Sequence, residues 1–182
     1  MTETPKHREQ LGDWMVEQGL TGRMIEVGVA FGGFARHVLS QWQGTEYVLV
    51  DPWIRQEKDV YKENTEGIDY EGWYRDCQAL AGSDTRVRLM RGCSTDIARQ
   101  VQDDCADSVY IDGNHCYDAV KADLAAWWPK VKRGGLFGGH DYYNAVHSGH
   151  YCQVEQAVIE WAKEQGQTVQ LTECSSWWVR KA

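Results

Sequence analysis

Residues 108–143, SVYIDGNHCYDAVKADLAAWWPKVKRGGLFGGHDYY, constrain the fold more than any other stretch of the chain. They read as an apolar strand, an acidic turn, a helix, a Gly-Gly turn, a second apolar strand and a polar turn. The helix carries Val120, Leu124 and Trp127 or Trp128 on one side, and Pro129 should end or kink it. A strand–helix–strand crossover of this kind joins parallel neighbours. The two strands therefore end at the same edge of a sheet, one presenting Asp112 and His115, the other His140 and Asp141. Ligands of open α/β sheets bind at that edge.

The alternation extends in both directions. Residues 7–19 read as a helix, 24–29 as a strand, 33–42 as a helix and 46–51 as a strand. Residues 71–81 read as a helix, 86–91 as a strand, and 94–101 as a helix with Ser94 at its N-cap. After residue 151 come a helix at 152–165 and strands at 168–172 and 175–181. So short a link between the last two strands makes a hairpin, so the final strand runs antiparallel. The expected fold is α/β: a Rossmann-like, doubly wound, mostly parallel sheet with a C-terminal antiparallel hairpin. A chain of 182 residues suits a single domain, with a helical segment at 1–22 in front of the sheet.

Composition excludes several functions. With 19 basic and 27 acidic residues the net charge is −8, a poor match for nucleic acid or an anionic membrane. The one basic cluster, Lys130, Lys132 and Arg133, reads as a solvated helix end. No apolar run approaches the roughly 20 residues of a membrane span, and the N-terminus lacks the apolar core of a signal peptide. The six cysteines form no CxxC pair and read as reduced thiols. The expected location is cytoplasmic.

Three features of the first half bear on a ligand. IEVGVAFGGF (25–34) is a strand, a glycine turn and a helix start, but not the GxGxxG of dinucleotide sites. Within it, Glu26 is either exposed at an edge or in contact with a cationic or amine-bearing ligand. Asp51 ends the second strand, where a carboxylate suits both hydroxyls of a ribose or caps a turn. Ser94 either reaches an adenine edge or caps its helix.

The glycine turn (E-x-G-x-x-x-G), Asp51 and the strand layout resemble class I S-adenosylmethionine-dependent methyltransferases, from about Met24 to Arg180. The resemblance implies S-adenosyl-L-methionine as cofactor, with Glu26, Gly28, Gly32, Asp51, Ser94 and Asp112 around it. Residues 111–142 further resemble the metal-dependent small-molecule O-methyltransferases related to the macrocin and cephamycin-pathway enzymes. Those show I-D-x-x-H-x-Y, a helix, a Gly-Gly turn and an acidic pair before a tyrosine. By that resemblance Asp112 and Asp141 are metal ligands and His115 is the general base. His140 stands where the group has Asp or Glu. As a third ligand it would shift preference from magnesium towards manganese or another transition ion; otherwise it supports catalysis beside Asp112.

Two segments are expected to select the acceptor, a small hydroxylated molecule. Residues 52–75, a lid-like insertion, carry Trp53, Tyr61 and Tyr70. Residues 142–151 carry Tyr142, Tyr143, Asn144, His147, His150 and Tyr151. The exposed sheet edge and nine tryptophans leave room for a homodimer. Three alternatives stand beside the metal-assisted reading: a metal-independent O- or N-methyltransferase, a nicotinamide-dependent oxidoreductase disfavoured by its missing GxGxxG, and a non-catalytic nucleoside-binding module.

Overall fold

A computed structural model describes residues 4–57, 61, 65–147 and 150–182, with Val146, His147 and His150 described in backbone only. Helix α1 (Leu11–Glu17) follows a 3-10 turn at Arg8–Gln10. Then strands and helices alternate: β1 (Arg23–Val27), α2 (Gly33–Gln41), β2 (Glu46–Asp51), α3 (Tyr70–Ser83), β3 (Val87–Arg91) and α4 (Ser94–Ala98). The second half holds β4 (Ala106–Ile111), α5 (Tyr117–Trp127), β5 (Val131–Gly139), β6 (Asn144–His147), β7 (His150–Gln153), α6 (Val154–Gln165), β8 (Gln170–Thr172) and β9 (Ser176–Arg180).

Seven strands form one sheet in the order β3-β2-β1-β4-β5-β9-β8. The first five run parallel, and β9 pairs antiparallel with both β5 and β8. The expected doubly wound sheet with a terminal hairpin is therefore what the chain builds. Strand alternation divides the core between its two faces. Ile25, Val27, Val109, Ile111 and Phe137 pack under α4, α5 and α6. Met24, Tyr47, Leu49, Tyr110 and Leu136 pack under α1, α2 and α3. Strand order reverses between β1 and β4, which opens a crevice at their carboxyl ends.

Two local expectations change. The Gly-Gly pair is not a turn before a strand; it lies inside β5, where Gly134 takes φ +73° and the register against β4 shifts between Ala106 and Ser108. Only a residue without Cβ adopts that conformation cheaply, so a bulge is accommodated without ending the strand. Within the segment expected to contact the acceptor, β6 and β7 pair as a two-stranded antiparallel ribbon, Asn144–His147 against His150–Gln153. Ser94 is the first residue of α4 and not its cap; Cys93 holds the N-cap position with extended backbone. Pro129 behaves as expected, since the α-helix stops at Trp127 and the chain continues as a 3-10 turn over Trp128–Lys130.

Phe137 is fully buried, and its ring lies 5.3–5.6 Å from those of Trp128, Trp161 and Trp177. Replacing Phe137 with Ala should cost about 3–5 kcal/mol of folding stability, read as a lower urea midpoint with an unchanged slope.

Candidate active site

A cavity of about 420 Å³ opens at the carboxyl ends of β1, β2 and β4. One wall is the glycine turn, with Val27, Gly28 and Ala30; opposite stand Cys93, Ser94, Thr95, Ala122 and Asp123. Asp112, Gly113 and Asn114 close one end, and Asp51 with Pro52 and Ile54 borders another side.

Gly28 is needed for close approach. It takes φ +86°, and an added Cβ would sit 2.2 Å from the Asp112 carbonyl oxygen. Gly32 caps α2 in the left-handed conformation, φ +79°, and is not among the cavity-lining residues. Its lack of a Cβ lets it take that conformation at the start of the helix.

Asp51 lines the cavity as expected, and it also braces the turn. Its Oδ2 accepts from the amides of Val29 (2.8 Å) and Ala30 (3.1 Å), and its Oδ1 accepts from Trp53 (2.7 Å). Burial raises its pKa while these three amides oppose the rise. Both lone pairs of Oδ2 are thereby engaged, and Oδ1 keeps one for a hydroxyl donor.

Asp112 follows β4, and His140 and Asp141 follow β5, so strand pairing alone brings them together. The metal-ligating atoms of Asp112, His115 and Asp141 all lie within 4.8 Å of one another. His115 Nε2 is 3.1 Å from Asp141 Oδ2. His140 Nδ1 is 3.2 Å from Asp141 Oδ1 and 3.9 Å from Asp112 Oδ1, outside that set of three. Burial alone would raise the Asp141 pKa, but hydrogen bonds from His115 and His140 hold it well below the usual carboxylate range. For Asp112 burial dominates, the Asp141 charge adds to it, and the pKa is raised despite His140 and Arg8. Asp141 takes φ +54°, a conformation that non-glycine residues adopt only under constraint.

Other expected residues fall elsewhere. Glu26 is neither edge-exposed nor in the cavity. It lies in the central strand β1 at 2% exposure, on the face opposite Val27, and accepts from the Tyr47 hydroxyl at 2.7 Å. Strand alternation alone turns it away from the crevice. Its burial, partly offset by the Tyr47 hydroxyl, pushes its pKa up to about 8. Trp53 is fully buried and donates its indole N–H to the Ala30 carbonyl (2.8 Å), so it supports the turn and does not face an acceptor. Tyr61 and Tyr70 do line the cavity. Residues 58–60 and 62–64 of the same segment, and the side chains of His147 and His150, lie outside the described residues.

Two residues escaped the sequence reading. Arg8 Nη1 reaches Asp112 Oδ2 at 3.5 Å, with its guanidinium 5.0 Å over the Phe34 ring. Nothing near it in the chain announces this contact, which is entirely tertiary. Asp123 is 5% exposed on α5, lines the cavity, and accepts from the Ser94 hydroxyl at 2.5 Å. That one had a signal: Asp123 interrupts the apolar stripe of Val120, Leu124 and Trp127.

The strand order, the antiparallel β9 and the crevice at the β1/β4 switch point define a class I methyltransferase fold. A family model described as a methyltransferase domain matches residues 25–142, and the chain belongs to that family. It is 27% identical over 140 residues to the uncharacterized protein y4gI of Sinorhizobium fredii (strain NBRC 101917 / NGR234), covering 71% of this chain but 14% of that relative. The O-methyltransferase NovP superposes with a TM-score of 0.68 at 17% identity, over 96% of this chain and 78% of NovP. CalS11, a TDP-rhamnose 3′-O-methyltransferase of calicheamicin biosynthesis, gives 0.61 at 16%, over 94% and 77%. Likeness at such identities establishes the fold. The cavity also fits what the family uses: its volume is in the range of roughly 300–1,000 Å³ typical of ligand sites. Asp51, Asp112 and Asp123 in its walls suit a cationic ligand bearing hydroxyl and amino donors.

The raised Glu26 pKa has a consequence for stability. Between the unfolded value near 4.5 and the folded value of about 8, the folded state keeps a proton that the unfolded state has lost, so rising pH favours unfolding. Glu26→Gln removes this dependence while its amide oxygen still accepts from Tyr47. The variant should exceed the wild type by a few kcal/mol, to an order of magnitude, at pH 8, with the gap closing towards pH 4, measured by urea denaturation across that range.

Proposed function

We propose that the chain is an S-adenosylmethionine-dependent O-methyltransferase, assisted by a divalent cation, acting on a hydroxyl of a small molecule. The carrying observation is the convergence of Asp112, His115 and Asp141 beside the cavity, with His140 against the same two carboxylates. S-adenosylmethionine supplies an electrophilic methyl group on a sulfonium, transferred by in-line displacement. The chain's own residues must align the acceptor and accept its proton. Asp112 and Asp141 would hold the cation, with magnesium or manganese as candidates, and it would lower the pKa of the acceptor hydroxyl.

Two imidazoles flank this pair of carboxylates, which leaves one for the metal and one for the proton. His140, the third ligand expected from the sequence, lies outside the grouped atoms of Asp112, His115 and Asp141 but within 3.9 Å of both carboxylates; with His140 in that role, His115 takes the proton, and Asp141 beside it stabilises the imidazolium. Tyr61 and Tyr70, lining the cavity from the 52–75 insertion, would contact the acceptor. The net charge of −8 supports a small-molecule partner over nucleic acid or a membrane. Among the described residues no helix is long and apolar enough to cross a membrane. Cytoplasmic action and a homodimer through the exposed sheet edge belong to the same proposal.

A metal-independent O- or N-methyltransferase is the second reading, favoured by the Arg8 guanidinium already paired with Asp112. Turnover of a panel of hydroxylated acceptors, with EDTA and then with magnesium or manganese, separates the two. The metal-assisted reading expects loss with EDTA and restoration by one ion; undiminished turnover in EDTA overturns it. His115→Ala should lower turnover by about 10²- to 10⁴-fold with metal affinity retained, whereas His140→Ala should weaken metal binding measured by calorimetry. Nucleoside binding without turnover of any acceptor would instead favour the non-catalytic binding module.

A further inference from the structure

Arg8 sets a full positive charge against one carboxylate of the candidate cation site. Its Nη1 lies 3.5 Å from Asp112 Oδ2, and both side chains are partly shielded from water. A guanidinium has donors only and keeps its charge throughout the working pH range. Glu26 also acts on Arg8, but it keeps its proton at neutral pH, with a pKa of about 8. Asp112 is therefore the charge that answers Arg8.

The segment around Arg8 holds it in place. The Glu9 carbonyl accepts from His37 Nε2 at 2.8 Å and from Gln41 Nε2 at 2.9 Å, both on α2. His7 Nε2 lies 2.9 Å from Cys174 Sγ in the turn between β8 and β9, and Thr4 Oγ1 donates to Gln170 Oε1 at 2.8 Å. Leu11 is fully buried at the start of α1. The guanidinium itself stacks 5.0 Å over the Phe34 ring. Residues 4–11 are thus tied to α2 on one side of Arg8 and to the terminal hairpin on the other.

This arrangement divides the two oxygens of Asp112. Oδ1 lies 3.9 Å from His140 Nδ1, on the side of the other site residues, while Oδ2 faces Arg8. A carboxylate can hold a divalent ion through one oxygen or through both. Here the second oxygen is already engaged. Asp112 and Asp141 bring two negative charges to the site, and Arg8 offsets one of them. Repulsion between a guanidinium and a divalent ion a few ångströms away persists even at the effective dielectric constant of about 20 that holds near protein surfaces.

We infer that Arg8 is a positioning residue that confines Asp112 to ligation through Oδ1 and keeps the affinity of the site for its cation low. The inference rests on the divalent-cation reading above and deepens it by naming the residue that sets that affinity. An ion held by fewer anionic oxygens draws more strongly on the acceptor oxygen, so weak binding and strong polarisation share one cause.

The test is calorimetric titration of manganese chloride into metal-stripped wild type, Arg8→Gln, Arg8→Met and Arg8→Lys, with the fold of each checked by circular dichroism. Removing the charge should tighten manganese binding roughly 10- to 100-fold in Arg8→Gln and in Arg8→Met. Arg8→Met also keeps an apolar stem over Phe34, which guards against a variant that fails to fold. Arg8→Lys keeps the charge and should stay close to wild type. A merely structural Arg8 predicts the opposite sign, since a loosened segment would disorder Asp112 and weaken the ion. Unchanged or weaker binding in the folded Gln and Met variants overturns this inference alone. Equal tightening in Arg8→Lys also overturns it, because charge is then not the cause. Absence of manganese binding in wild type and every variant overturns it together with the divalent-cation reading.

Discussion

A short backbone contact joins the ends of β1 and β4. The Asp112 amide donates to the Val27 carbonyl at 2.7 Å, and the Gly28 amide donates to the Val50 carbonyl at 2.9 Å. A side chain at Gly28 would collide with the Asp112 backbone. Because β1 is pinned between β2 and β4, the glycine turn, Asp51 and Asp112 become three walls of one cavity. Asp51 then ties the turn down through the Val29 and Ala30 amides, so a residue placed to bind ligand also shapes the site that receives it.

Carboxyl groups crowd this region, and each is settled by a different partner. Asp51 meets backbone amides and Asp141 meets two imidazoles. Glu26 meets a tyrosine hydroxyl within an apolar face, Asp123 a serine backed by tryptophan, and Asp112 the guanidinium of Arg8. Surroundings decide their charge: imidazoles keep Asp141 ionised, while burial pushes Glu26 and Asp123 up. A buried acid that keeps its charge and one that keeps its proton do different work, so chemical type alone does not assign a role. Asp141 is equipped to hold cations or an imidazolium, whereas Glu26 keeps its proton at neutral pH.

Much of this was legible in the chain. Strand and helix order, the parallel sheet and its antiparallel ending follow from hydrophobic periodicity and connection length, which are local properties. The convergence of Asp112 and His115 with His140 and Asp141 was legible for the same reason: two parallel strands joined by a helix must end together. The misreadings have physical causes. Glu26 carries the right chemistry for a ligand contact, yet its parity in β1 points it to the other face. Trp53 sits in a segment that reads as a lid, yet a hydrogen bond to the Ala30 carbonyl and full burial make it a support of the glycine turn. Ser94 has the composition of an N-cap, but Asp123, 29 residues away, competes for its hydroxyl.

The sequence by itself determined the fold class, the edge of the sheet where ligands bind, and the acid and imidazole groups gathered there. All three depend on patterns within a few residues or on the sense of a single crossover. Only the tertiary structure decided which acids line the cavity, which carboxyl is shielded, and that Arg8 reaches Asp112 across 104 residues. Those outcomes depend on side-chain direction and on packing between distant segments, for which local periodicity carries no information.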